Sequence, residues 1–185
     1  FARRQTRALL YRLGASLQPL SRDVLSAMFW PDLEDTVARR NMARLLNQLR
    51  GELQRSDLID VTPDTVCLRP DHTWSDANAL MLLCQEDRPS AYVEAVDLYR
   101  GPFLSGFMLN NNAEFDSWQL LMQKQLETTC LDALARLIEH YTQIDEPQVA
   151  IRFARRYLDL DNLAEGVHRR LILLYTRIGE RGMAT

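Results

Sequence analysis

The sequence predicts a mainly α-helical protein with one β-hairpin near its front. Three observations support this fold class. Apolar residues recur at helical spacing through most of the chain, two short β-rich runs follow the third helix, and a 34-residue periodicity appears near the C-terminus. We therefore divide the chain at Pro70 into a domain of helices and a hairpin, residues 1–70, and an all-helical domain, residues 71–185.

The first 70 residues follow the order of a winged helix-turn-helix. Ser21 is a good N-cap for the second helix, and Pro31 ends it because the residue before a proline avoids the α region. The predicted elements are helices at 3–14, 22–30 and 36–54 and strands at 58–62 and 65–70, the strands being joined by a Pro-Asp turn.

Residues from His72 onward read as helices, with no further convincing strand. We expect Gly101 to close one helix at its C-terminal cap and Asp145 to cap the start of another. The predicted helices lie at 75–86, 89–101, 114–143 (with a break left open), 147–161 and 164–179, and a turn-rich connection occupies 101–112.

A repeat at an offset of 34 residues, the tetratricopeptide period, connects the last helices. The matching pairs are Leu137 with Leu171, Ile138 with Ile172, Tyr141 with Tyr175, Thr142 with Thr176, Ile144 with Ile178 and Ala150 with Ala184. The second helix of the second repeat would begin near Thr185. We therefore expect a tetratricopeptide-like domain that is truncated here, with the natural chain continuing or another element capping it.

Charge is distributed unevenly between the two predicted domains. Residues 1–70 carry 11 basic and 8 acidic side chains, and residues 71–185 carry 11 and 17, which gives the net charge of −3. The composition is that of an ordinary globular protein, with 46% apolar and 25% charged residues. No apolar run reaches about 18 residues, so we expect no membrane partner. Three irregularly spaced cysteines favour a reducing, cytoplasmic location.

The third helix has two sharply different faces. On a helical wheel the side chains predicted to be buried are Ala38, Met42, Leu45, Leu46, Leu49 and Leu53. Arg40, Arg44, Asn47 and Gly51 lie diametrically opposite, with Arg39 and Arg50 on one flank and Asn41 and Gln48 on the other. A solvated helix usually alternates acidic and basic residues, and this face has no carboxylate before Glu52.

Arginine, asparagine and glutamine are the side chains whose donor geometry suits base edges in duplex DNA. Two further groups could contact DNA: the N-terminus of the second helix near Ser21 and Arg22 could hold a phosphate, and Arg69 on the second strand could reach an adjacent groove. A simple helix cap and a solvated charge are equally good interpretations of these two features.

Longer stretches of the sequence resemble a known family. "RALLYRLGASLQPLSRDVLSAMFWPDLEDTVARRNMARLLNQLRGEL", "YRGPFLSGF" and "FDSW" resemble the bacterial transcriptional activator domain proteins of the Streptomyces antibiotic regulatory type. The resemblance covers nearly the whole chain. It implies a response-regulator-like (OmpR/PhoB-type) winged helix joined to a tetratricopeptide-like activation domain. Family members also carry an antiparallel sheet before the first helix, and this sequence lacks it.

The resemblance also implies particular site residues and partners. It places the third helix in the major groove of double-stranded DNA and makes the preceding loop face RNA polymerase. The implied DNA contacts are Arg39, Arg40, Arg44, Asn47 and Gln48, and the implied polymerase-contact loop is Pro31, Asp32, Leu33, Glu34 and Asp35. The helical domain would contact polymerase or a partner protomer in a homo-oligomer.

Motifs for catalysis or for a cofactor are not found in the sequence. There is no phosphate-binding loop, dinucleotide fingerprint or HExxH, and the three histidines have no partners at metal-ligand spacing. We assign Trp30, Trp74 and Trp118 to packing. We therefore expect a non-enzymatic transcriptional activator without cofactor or metal. Two alternatives stay open: a helical-repeat interaction scaffold, and the regulatory front end of a larger signal-transducing ATPase, neither binding DNA itself.

Overall fold

The computed structural model describes residues 3–179, and these residues form eight α-helices and three short β-strands. In chain order the elements are α1 Arg4–Gly14, β1 Leu20–Ser21, α2 Arg22–Phe29, α3 Asp35–Leu53, a 3₁₀ turn Ser56–Leu58, β2 Ile59–Val61, β3 Thr65–Leu68, α4 Asp76–Gln85, α5 Pro89–Leu98, α6 Ala113–Gln143, α7 Pro147–Leu160 and α8 Glu165–Arg177. The mainly α-helical fold class is confirmed.

The chain separates into two compact units that do not follow the division at Pro70. The N-terminal unit contains the residues up to Asn78 together with Phe103–Gln123. The C-terminal unit contains Ala79–Pro102 and the residues from Lys124 onward. The division into functional domains at residue 70 stays a prediction, since a compact unit and a functional domain need not coincide.

The N-terminal unit combines three helices with a small antiparallel sheet. Its strand order is β1-β3-β2, and β2 pairs with β3 so that Val61 lies opposite Val66. Strand β1 was not predicted, because two residues are too few for an alternating pattern; it pairs with β3 through Leu20 and Val66. The order helix, strand, two helices and hairpin is compatible with a winged helix.

Local signals explain where α2 and α3 begin and end. The Ser21 hydroxyl accepts a hydrogen bond from the Asp23 backbone N–H at 3.2 Å, as predicted for an N-cap. Helix α3 ends at Leu53, and Gln54 follows in the left-handed conformation with φ 55°. The core of this unit gathers the apolar faces of α1, α2 and α3 and also includes Phe115.

The C-terminal unit is helical throughout its described part. Its main core contains Tyr92, Val96, Leu134, Leu137 and Phe153 among other buried residues. Helices α7 and α8 pack together through a second cluster of Ala150, Ile151, Leu174 and Tyr175. Helix α6 is continuous over 31 residues, so the break that the sequence left open is absent from it.

Two predicted caps in this region are wrong. Helix α5 ends at Leu98, so Gly101 lies beyond the cap position and uses its φ of 145° in the following turn. Asp145 has φ 62°, and its carboxylate lies 2.7 Å from the Arg177 guanidinium instead of capping α7. The residue at the N-cap position of α7 is Glu146, which makes no side-chain cap bond.

Four of the matched pairs lie on helices α6 and α8, Ile144 and Ile178 lie in the turns that follow these helices, and the members of a pair are not equally buried. Ile138 is buried on α6, whereas Ile172 on α8 is 47% exposed. Ala184, and with it the start of the second helix of the second repeat, lies outside the described residues. The assignment of Trp74 to packing is wrong, since that side chain is 73% exposed.

Candidate nucleic-acid interface

Helix α3 has the two faces that its sequence predicts. Its buried side chains are Ala38, Met42, Leu45, Leu46 and Leu49, and Leu53 is partly buried. Arg40, Arg44 and Asn47 are exposed on the opposite side. The apolar stripe packs into the core of the N-terminal unit, so the helix is fixed along one face and displays the other to solvent.

The guanidinium groups of Arg40 and Arg44 have no hydrogen-bond or ion-pair partner among residues 3–179. The two residues are one helical turn apart, about 6 Å along the axis. Like charges at this spacing destabilise a helix slightly. The pair therefore gives the isolated protein no electrostatic advantage, and a polyanionic ligand would supply one.

Two residues of the predicted contact set already have internal partners. Arg39 forms an ion pair with Asp23 at 2.8 Å, and both side chains are about 60% exposed. Gln48 donates a hydrogen bond to the Glu52 carboxylate at 2.8 Å and accepts one from Arg3 at 3.3 Å. Binding DNA through Arg39 or Gln48 would require them to exchange these partners. Sequence reasoning missed Asp23, because nothing local relates two residues 16 positions apart.

Arg22 lies where α2 meets the turn between β2 and β3. Its guanidinium donates to the backbone carbonyls of Thr62 and Pro63 at 3.1 and 3.2 Å, and its backbone N–H donates to the Asp64 carbonyl at 2.8 Å. Since the next N–H, that of Asp23, is taken by Ser21, two of the amides expected to hold a phosphate are already used. A DNA contact by Arg22 stays a prediction, and its observed role is to hold the hairpin turn.

Arg69 does not lie on a strand, because β3 ends at Leu68. Its backbone N–H donates to the Leu58 carbonyl at 2.9 Å, and its residue is exposed. Arg69 is thus just beyond the end of β3 that lies away from the Pro63–Asp64 turn, and the four-residue strand between them is itself roughly 13 Å long. The part of the hairpin that lies close to Arg39 is its turn, because Arg39, Arg22 and Asp64 line one shallow cleft. Arg69 does not line this cleft.

The loop predicted to face polymerase is exposed over its whole length. Pro31, Asp32, Leu33, Glu34 and Asp35 are all open to solvent, and Asp35 is already the first residue of α3. The loop is thus one residue shorter than predicted. The loop carries the carboxylates of Asp32 and Glu34, Asp35 adds a third at the start of α3, and Leu33 is 42% exposed, so this stretch presents an acidic surface with one apolar side chain.

Other chemistry is limited in the described part of the chain. No group of three or more metal-ligating side chains is found within residues 3–179, and no helix there is long and apolar enough to cross a membrane. The cysteines Cys67, Cys84 and Cys130 are free thiols. Burial raises the pKa of Cys130 to about 11, which disfavours its reactive thiolate.

The described residues form a small α/β unit with an exposed arginine face and a helical unit, a class of mainly α-helical protein with a small antiparallel sheet. A family model, the bacterial transcriptional activator domain, matches residues 81–185, more than half of the chain. The chain therefore belongs to the bacterial transcriptional activator domain family, and a role in regulating transcription follows. A comparison with curated proteins found no match.

Proposed function

We propose that this protein is a transcriptional activator that binds double-stranded DNA through its N-terminal unit. The unit is proposed to be a winged helix of the response-regulator type, with α3 entering the major groove. The observation that carries the proposal is the exposed face of α3, where Arg40, Arg44 and Asn47 stand together without partners in the described structure. Because the chain belongs to a transcriptional activator family, DNA is the polyanionic ligand that we propose for this face.

The proposed mechanism separates affinity from sequence preference. Contacts to phosphates supply most of the affinity and make it fall as salt rises. Arg40 and Arg44 would read guanine and Asn47 adenine, because these side chains form paired hydrogen bonds with those bases. Arg39 would join after releasing Asp23, an exposed ion pair that costs only about 0.2–1 kcal/mol to break. Gln48 would join after giving up its hydrogen bond to Glu52.

The second half of the proposal concerns activation. The acidic loop from Pro31 to Asp35 would meet a basic surface of RNA polymerase, with Leu33 entering an apolar depression there. The helical unit would contact polymerase or a partner protomer in a homo-oligomer, and the protein would act in the cytoplasm. What supports these statements is the exposure and charge of the loop and the family assignment.

The test is a DNA-binding experiment in two stages. First, sequences bound by the full chain are selected from random DNA. Then Arg40→Ala and Arg44→Ala are titrated against the selected site and random duplex, with Arg100→Ala, an exposed arginine of the other unit, as the control. We expect each α3 variant to lose about 1–3 kcal/mol of discrimination, roughly 5- to 150-fold, at one base position.

Other outcomes redirect or reject the proposal. An equal loss on both DNAs would make these arginines phosphate contacts, without base readout. No binding by the parent chain at either of two salt concentrations would favour the scaffold alternative. One observation favours that alternative: α8 exposes Ile172 and Leu173, the latter 69% open to solvent, as a protein-binding helix would.

A further inference from the structure

The segment Phe103–Gln123, called the brace segment below, has an unexpected position. It lies inside the residues matched by the activator-domain family, 81–185, yet it belongs to the compact N-terminal unit. The family match therefore groups the brace segment with the activator domain, whereas its packing groups it with the N-terminal unit. The contacts of the brace segment with α1 and α2 show why the packing takes this form.

Aromatic side chains of the brace segment complete the core of the N-terminal unit. Phe115 is fully buried in the same cluster as Leu9 and Leu13 of α1. Its ring meets Phe29 of α2 edge to face, with centroids 6.1 Å apart, and Phe107 meets Tyr11 in the same way at 5.0 Å. Without these rings, apolar surface on α1 and α2 would be open to water.

Asn112 connects two helix ends through one buried amide. Its Nδ2 donates to the carbonyls of Met28 at 3.0 Å and Phe29 at 3.2 Å, at the C-terminal end of α2 where carbonyls lack helical partners. Its Oδ1 accepts from the Phe115 N–H at 2.7 Å, which caps the start of α6. One side chain therefore satisfies orphan groups of both helices.

Arginines of α1 also face the brace segment. The Arg7 guanidinium lies 5.7 Å from the Phe107 ring centroid, and the Arg12 guanidinium lies 5.0 Å from that of Trp118. Burial lowers the pKa of Arg12, as expected for a cation held against a ring and away from water. All three arginines of α1 thus contact the brace segment, because Arg4 also donates to Asn110 at 2.7 Å.

We propose that the brace segment is a structural part of the N-terminal unit and that Asn112 ties α2 to it. Helix α3 packs against α1 and α2. By stabilising α1 and α2, the brace segment therefore stabilises the position of α3 and of its arginine face. A fragment that stops at residue 70 or 78 would lack part of its own core. This inference holds whether or not the unit binds DNA.

Hydrogen exchange of the full chain tests the proposal. Asn112→Ala removes all three hydrogen bonds of the amide, whereas Asn112→Ser keeps an oxygen to cap α6 but is too short to reach α2. We expect both variants to raise amide exchange in α1 and α2 by about ten-fold or more, with α7 and α8 unchanged. Leu121→Ala is the control: this α6 side chain is 70% exposed, so its truncation should leave exchange unchanged in α1 and α2 as well as in α7 and α8.

Two results would overturn the proposal. One is exchange in α1 and α2 that stays at the level of the Leu121→Ala control. The other is an equal rise in all helices, including α7 and α8, which would mean general destabilisation. If Asn112→Ala is not recovered folded, Asn112→Ser decides between the outcomes, because it leaves the α6 cap intact.

Discussion

Asp23 holds Arg39 in an ion pair that would have to open before Arg39 could contact DNA as proposed, so its removal offers a sharp test of how the surface around α3 is used. Asp23→Asn removes the negative charge that lies 2.8 Å from the Arg39 guanidinium while keeping the shape of the side chain. Both partners are about 60% exposed, so the pair is worth only about 0.2–1 kcal/mol and the fold should tolerate the change. We therefore expect the free energy of unfolding to fall by less than about 1 kcal/mol.

The expected gain in DNA affinity follows from the same number. Releasing Arg39 can contribute no more than the pair cost, so affinity for a random duplex should rise by at most about five-fold. If the released guanidinium meets one phosphate, the slope of log affinity against log salt becomes steeper by about 0.9. Fluorescence anisotropy at salt concentrations between about 50 and 200 mM measures both quantities.

The control is Asp159→Asn, which changes net charge equally at an exposed position of α7 that has no ion pair in the described structure. A general charge effect would appear in both variants. The reasoning is refuted if Asp23→Asn and Asp159→Asn give the same affinity and the same salt slope, because Arg39 would then lie away from DNA.

Two further predictions concern stability. Leu49→Ala should lower the free energy of unfolding by about 2–5 kcal/mol in urea titrations, because Leu49 is fully buried in the N-terminal core. Leu53 is only partly buried, so Leu53→Ala should lower it by less. Equal losses for the two variants would contradict the packing described. Burial raises the pKa of the Cys130 thiol from 9.0 to about 11, so the folded state holds this proton more tightly than the unfolded chain does. The contribution of the protonated Cys130 thiol to the free energy of unfolding is fully present below about pH 9 and is lost as the pH rises towards 11. The parent chain should therefore lose stability relative to Cys130→Ala between pH 7.5 and 10.5, and a constant difference would show that the thiol does not titrate differently on folding.

Structural features that depend only on residues close together in the chain were predicted correctly from the sequence. The buried and exposed faces of α3 follow from a period of 3.6 residues, which needs no knowledge of the rest of the chain. The N-cap by Ser21 and the hairpin around Pro63 also depend only on near neighbours. For the same reason the two-residue strand β1 was missed, since its only signal is its partner β3.

Errors arose where a cap or a packing role depended on distant residues. Asp145 has the side chain of a cap, but Arg177 is close enough to take its carboxylate. Trp74 has a large apolar side chain of the kind that usually packs in a core. It is nevertheless exposed, because no element of the described structure covers it. Neither outcome is encoded in the flanking residues.

The sequence by itself determined the helical class, the period of each helix and the carboxylate-poor face of α3, because these properties repeat over a few residues. Tertiary structure alone decided that Arg39 pairs with Asp23, that three arginines of α1 pack against the brace segment, and that Asn112 joins two helix ends. Those contacts link residues up to about a hundred positions apart, and their energies depend on distances and burial that exist only after the chain has folded.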